Sequence, residues 1–139
     1  MNTHDARSII TEFIGRCNEA TEAAYELLSE DVIVTVNGTT PLSGRFPGLR
    51  VVKGILVDTA RVVIARVKLT ILEFVGAGYR VAVVLLVSGE AVDGECFNDE
   101  GRACGCVFTV DKGLITEILF FPDTSLIELV LYKRLFVPN

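Results

Sequence analysis

From Ala103 to Asp123 the chain reads as two apolar strands folded back on each other, and this hairpin limits what the remainder can build. Residues 103–110 alternate small, β-branched and aromatic side chains, residues 111–113 form a turn ending in Gly113, and residues 114–121 resume the pattern until Pro122 and Asp123 break it. Alternation across a glycine turn predicts a β-hairpin. The second strand presents Leu114, Ile118 and Phe120 on one face and Ile115, Leu119 and Phe121 on the other. From Tyr79 the next strand repeats this, with Tyr79, Val81, Val83, Leu85 and Val87 opposed to Arg80, Ala82, Val84, Leu86 and Ser88, both faces largely apolar. A sheet with one solvated face should alternate apolar and polar residues. Helices can cover only one of these two faces, so the expected cover for the other is a second copy: a homodimer through the sheet, burying roughly 800 Å² or more per subunit.

Around this sheet the spacing predicts helices. Ala6, Ile9, Ile10, Phe13, Ile14 and Cys17 lie on one helical stripe, with Thr3 placed as N-cap and Asp5 in the first turn. A shorter helix follows from about Thr21, turns Ala24, Tyr25 and Leu28 inward and closes at residues 29–31. Val32 to Val36 is a short strand, and residues 37–48, with two prolines and three glycines, read as an ordered loop without regular pattern. Val52, Ile55, Leu56, Thr59, Val62 and Val63 mark one face of a helix over residues 49–66. Strands are expected over residues 67–75 and 79–92, the second long enough to curl or to carry a bulge near Ser88 and Gly89. Thr124 to Arg134 is the last helix, with Ser125 and Glu128 spaced as a capping box. The order gives an α+β fold: a cone-shaped barrel with helices on the concave face of a curved, mostly antiparallel sheet, all in one domain over residues 1–139.

Charge and composition exclude several functions. A net charge of −5 argues against nucleic acid or an anionic membrane surface as partner. The longest apolar run, Val81 to Val87, is far short of the roughly 20 residues of a spanning helix, and no export signal opens the chain, so a cytoplasmic protein with reduced thiols is expected. Cys17, Cys96, Cys104 and Cys106 with one histidine, His4, do not make a metal site, and no phosphate loop or nucleophile elbow occurs.

Three segments carry a resemblance. Residues 27–34 (Leu-Leu-Ser-Glu-Asp-Val-Ile-Val), 41–48 (Pro-Leu-Ser-Gly-Arg-Phe-Pro-Gly) and 107–123 resemble, in that order, the helix end, the loop and the hairpin of the nuclear transport factor 2-like superfamily in its SnoaL-like polyketide cyclase branch. The resemblance implies an apolar cavity between the helices and the concave sheet. It also implies an aspartate directly after the last strand as general acid/base, and Asp123 matches it. Val34 stands where the branch has tryptophan, Leu119 where it often has arginine, and Cys106 where it often has histidine. No arginine is placed on the pocket face.

The expected activity is therefore acid/base chemistry of cyclase, isomerase or dehydratase type, without cofactor or metal, on a small hydrophobic carbonyl compound. Phe13, Tyr25, Phe46, Leu56, Cys106 and Phe108 would line the cavity, with Asn37 as a polar contact. A carboxylate at the mouth of an apolar cavity has its pKa raised by desolvation and can shuttle a proton. The alternative reading makes Asp123 a helix N-cap with a lowered pKa, and the protein a small-molecule-binding or dimeric interaction module of the same fold.

Overall fold

The computed structural model describes residues 6–19 and 22–136, which leaves Thr3, His4, Asp5 and Thr21 outside the described residues. Its elements are α1 (Ala6–Asn18), a 3-10 turn (Glu22–Leu27), β1 (Leu28–Val36), β2 (Gly44–Pro47), α2 (Leu49–Val51) running through a π-helical stretch (Val52–Val57) into α3 (Asp58–Val63), β3 (Ile64–Val75), β4 (Arg80–Ala91), β5 (Cys96–Phe97), β6 (Ala103–Asp111), β7 (Leu114–Phe121), and α4 (Thr124–Leu126) continuing as a π-turn (Ile127–Leu131). The strands form one sheet in the order β2-β1-β7-β6-β4-β3, with β5 paired to β4. β1 runs parallel to β7, and the other pairings are antiparallel. This is the expected α+β architecture, a strongly curled sheet with helices in its hollow.

The β6–β7 hairpin forms where the sequence placed it. Lys112 and Gly113 both take positive φ, 53° and 83°, the two-residue turn whose twist matches that of the flanking strands. One detail departs from simple alternation. Thr109 pairs with Glu117 but Val110 pairs with Ile115, so Thr116 is an extra residue, its hydroxyl donating to the Thr109 carbonyl at 3.3 Å. This bulge turns Ile115 to the same side as Ile118, into the core. The expected grouping of Ile115 with Leu119 and Phe121 on one face is corrected accordingly, and the outer face of β7 keeps Glu117, Leu119 and Phe121.

The core fills the hollow. Ala6, Ile9, Ile10 and Ile14 of α1 pack against Val81, Val83 and Leu85 of β4 and Cys106, Phe108 and Val110 of β6. Four further expectations are corrected. The second helix is a 3-10 turn, with Leu28 already in β1. The loop holds a short strand, in which Phe46 pairs with Val34. The third helix ends at Val63, and its π-helical turn rotates the apolar stripe, leaving Ile55 and Val62 exposed while Val52 and Val63 are buried. The strand irregularity lies on β3, where Ala65 and Leu72 are the extra residues, rather than on β4. No helix among the described residues is long and apolar enough to cross a membrane.

Candidate functional site

Where β7 ends and β6 begins, the C-terminal segment folds back over the sheet and encloses a cavity of about 110 Å³. Ile64, Val87, Cys104 and Phe120 form its sheet wall, Leu126, Ile127 and Leu131 the opposite wall, and Leu42 and Phe97 close it further. Polar side chains enter at three places only: Asn98, Arg102 and Asp123.

Asp123 follows the last strand, as expected, and is the N-cap of α4. Its Oδ1 accepts from the Ser125 amide at 3.2 Å and from the Ser125 hydroxyl at 2.6 Å. Its Oδ2 lies 3.4 Å from Arg102 Nη2. The Ser125 hydroxyl, opposed by partial desolvation and helped by the Arg102 charge, holds the carboxyl below the ordinary aspartate value. The expected elevation is thus corrected: burial is incomplete, and donors to the ionised form outweigh it. A lowered pKa means that this group's contribution to stability is present at neutral pH and is lost as pH falls through the lowered value. Ser125 is a donor to the cap rather than the start of a capping box, and Glu128 instead accepts from the Phe136 amide at 2.6 Å.

Asn98 and Arg102 were not singled out in the sequence. Asn98 is 5 % exposed with φ 59°, a left-handed conformation that asparagine tolerates better than most residues. Its Nδ2 donates to the Val87 carbonyl at 3.0 Å and to the Arg102 carbonyl at 2.8 Å, and its Oδ1 accepts from the Arg102 amide at 2.9 Å. The absence of an arginine from the pocket face is therefore corrected, because Arg102 lines the cavity. The signal was the hairpin itself. Extending the Gly105–Phe121 pairing toward the strand ends brings Arg102 beside residues 123 and 124.

The other expected site residues lie in the packed interior or on the surface, away from this cavity. Phe46, Cys106 and Phe108 are buried in the core, with Phe13, Tyr25 and Leu56 packed against it. The rings of Phe13 and Phe108 meet edge to face at 6.2 Å, and Lys53 Nζ sits 4.8 Å above the Tyr25 ring. Asn37 is exposed at the end of β1, its amide donating to the Phe120 carbonyl at 2.9 Å. Of Asp123 and the seven expected ligand contacts, Asp123 alone lines the cavity.

All four cysteines are free thiols. Burial pushes Cys17 up to about 11 and raises Cys104 and Cys106 as well, whereas Cys96 is exposed. Because the thiolate is the reactive form, iodoacetamide at pH 8 should label Cys96 at least tenfold faster than the other three, and denaturant should abolish the difference. Equal labelling in the folded protein, read by mass spectrometry, would contradict this packing. Among the described residues no group of three or more His, Cys, Asp or Glu is placed to hold a metal ion.

No family model matches the sequence, and no curated protein matches it. Solved structures do. An NTF2-like protein of unknown function from Burkholderia pseudomallei superposes with a TM-score of 0.78 at 19% identity, over 90% of this chain and 95% of that one. TerC, co-crystallised with polyporic acid, gives 0.72 at 19% identity over 86% and 92% of the two chains. A provisionally assigned polyketide cyclase from Xanthomonas campestris pv. campestris gives 0.68 at 19% identity over 86% and 91%. The chain has the NTF2-like fold, the scaffold that its three sequence segments resemble.

Proposed function

We propose that this chain binds a small, hydrophobic, carbonyl-containing molecule, without a cofactor, in the cavity beneath the C-terminal segment. The observation that carries this reading is a wall of apolar side chains interrupted at one edge by the Asp123–Arg102 pair. Apolar walls supply affinity, and a few placed polar groups supply orientation. Cyclohexanone, which matches the cavity in size and chemistry, should shift the methyl NMR signals of Ile64, Val87 and Leu131 saturably and leave α1 unmoved. Shifts spread over the whole chain, or none, would remove the reading.

A second reading, acid/base chemistry by Asp123 on the bound molecule, is favoured by the placement of its carboxylate. The group stands on the cavity wall and is ionised at neutral pH, so it can take up a proton, and the donors that hold its pKa down make it a weaker base than a desolvated carboxylate would be. The provisionally assigned polyketide cyclase shares this fold, which supports a cyclase, isomerase or dehydratase type of reaction. Asp123→Ser separates the roles, because serine keeps an N-cap while removing the charge. Binding retained with turnover lost assigns Asp123 to catalysis, and turnover retained excludes it.

The outer face of the sheet completes the proposal: a second copy covers it. Ala82, Val107 and Leu119 form one row across β4, β6 and β7, and Val84, Gly105 and Phe121 form the next. A Cβ at Gly105 would meet nothing within 4 Å, so the backbone there is open beside the exposed Phe121 ring, and an apolar face of this kind can pair with itself about a two-fold axis.

A further inference from the structure

We infer that Arg102, held in place by Asn98, is the specificity-determining residue of the cavity, and that with Asp123 it selects molecules bearing a carbonyl and a hydroxyl on neighbouring carbons. This rests on the binding reading above and names its ligand class more closely.

Three observations converge. Asn98 is a buried amide, and two of its three hydrogen bonds go to the backbone of one residue, Arg102, while the third ties that residue's turn to Val87 in β4. A buried side-chain amide held by three backbone bonds is rigid, so the base of the Arg102 side chain is fixed at the cavity edge. The guanidinium itself stays adjustable. Its approach to Asp123 is 3.4 Å, well beyond the roughly 2.7–2.9 Å of a good charge-assisted hydrogen bond, and its side chain is half exposed. Arginine carries five N–H donors in a planar fork, which leaves donors for a second oxygen. Asp123, finally, has Oδ1 occupied by both Ser125 donors and turns Oδ2 to Arg102.

The cavity mouth therefore presents a donor and an acceptor side by side, with no net charge. A carbonyl can accept from Arg102 while a hydroxyl on the next carbon donates to Asp123 Oδ2, and neither ionised group is left uncompensated. An anionic ligand would meet the Asp123 carboxylate and lose its own hydration against a neutral pair, an unfavourable exchange. A plain ketone or alcohol would satisfy only one side.

Three probes of equal ring size test this on the full chain: 2-hydroxycyclohexanone, cyclohexanone and cyclohexanol, titrated by methyl NMR. A hydrogen bond to a charged group, gained without new apolar area, should make the hydroxyketone bind about tenfold more tightly than either parent. Arg102→Met removes the donor to the carbonyl, so it should weaken cyclohexanone and bring the hydroxyketone to within about threefold of cyclohexanol, whose hydroxyl still reaches Asp123; Arg102→Lys should recover part of the preference over cyclohexanol. Asn98→Ala should reduce the preference in the same direction, and if that variant fails to fold, Arg102→Met alone decides. A preference over cyclohexanol that survives Arg102→Met, or is absent from the wild type, overturns the inference, while binding of cyclohexanone to the wild type leaves the cavity reading intact. Tighter binding of benzoate than of the hydroxyketone overturns it in favour of a charge-selective site. Failure of all three probes to bind removes both.

Discussion

Gly89→Ala is expected to lower the stability of this protein by on the order of 3 kcal/mol, more than most surface substitutions and enough to shift the melting midpoint by about 10 °C. A Cβ at residue 89 would lie 2.1 Å from the Arg66 carbonyl oxygen and 2.9 Å from both the Arg66 carbonyl carbon and the Val67 Cα. All three are backbone atoms, so no side-chain rotation relieves the overlap, and β3 must move away from β4. Gly89 pairs with Val67 on one side and Phe97 on the other, so the displacement reaches the site. Ile64, Val87 and Phe97 line the cavity, and Asn98 donates to the Val87 carbonyl. Ligand affinity should fall together with stability. Gly54→Ala is the matched control: nothing lies within 4 Å of its added Cβ and its backbone is helical, so it should be neutral or stabilise by up to about 1 kcal/mol. Thermal unfolding of the two variants beside the wild type decides the matter. Equal midpoints for Gly89→Ala and wild type would mean that the two strands are not in such close approach.

The contrast between these glycines shows what the sequence could and could not convey. A glycine inside a long apolar strand signals a bulge or a close backbone approach, and at Gly89 it is the close approach, to Arg66, while the extra residues sit on β3. Which strand carried the extra residue was not legible, since that depends on pairing with β3, a partner chosen by the whole sheet. The same holds for Thr116. Alternation alone sends Ile115 outward, and only the register of the complete hairpin turns it inward. The π-helical turn at residues 52–57 was hidden for another reason: one added residue per turn redistributes an apolar stripe without changing its composition. Asp123 could be found because it follows a clear strand end, and its two readings, cap or acid, were both open. The partners that decide between them are Ser125, two residues away, and Arg102, brought in from the opposite strand. The local partner was in view. The distant one required the hairpin register to be carried past its last regular pair.

Leu119→Glu should convert the proposed dimer into a monomer without unfolding the chain. Leu119 sits at the centre of the outer face, between Thr35 of β1 and Val107 of β6, and partly exposed in the single chain, so a carboxylate there remains hydrated when the chain is alone. Pairing two such faces would bury that charge at the apolar centre, since the charged pairs of this face, Arg80–Glu117 at 3.5 Å and Arg66–Glu90 at 3.2 Å, already hold each other towards its ends. Removal of one partner from a buried pair indicates the scale of an uncompensated charge, about 3–5 kcal/mol. In a two-fold dimer every substitution counts twice, so the association should weaken by on the order of 10⁴-fold or more. Wild-type protein should sediment as a dimer at micromolar concentration, Leu119→Glu as a monomer with an unchanged circular dichroism spectrum. Wild-type protein sedimenting as a monomer at that concentration would show that water, rather than a second sheet, covers this face.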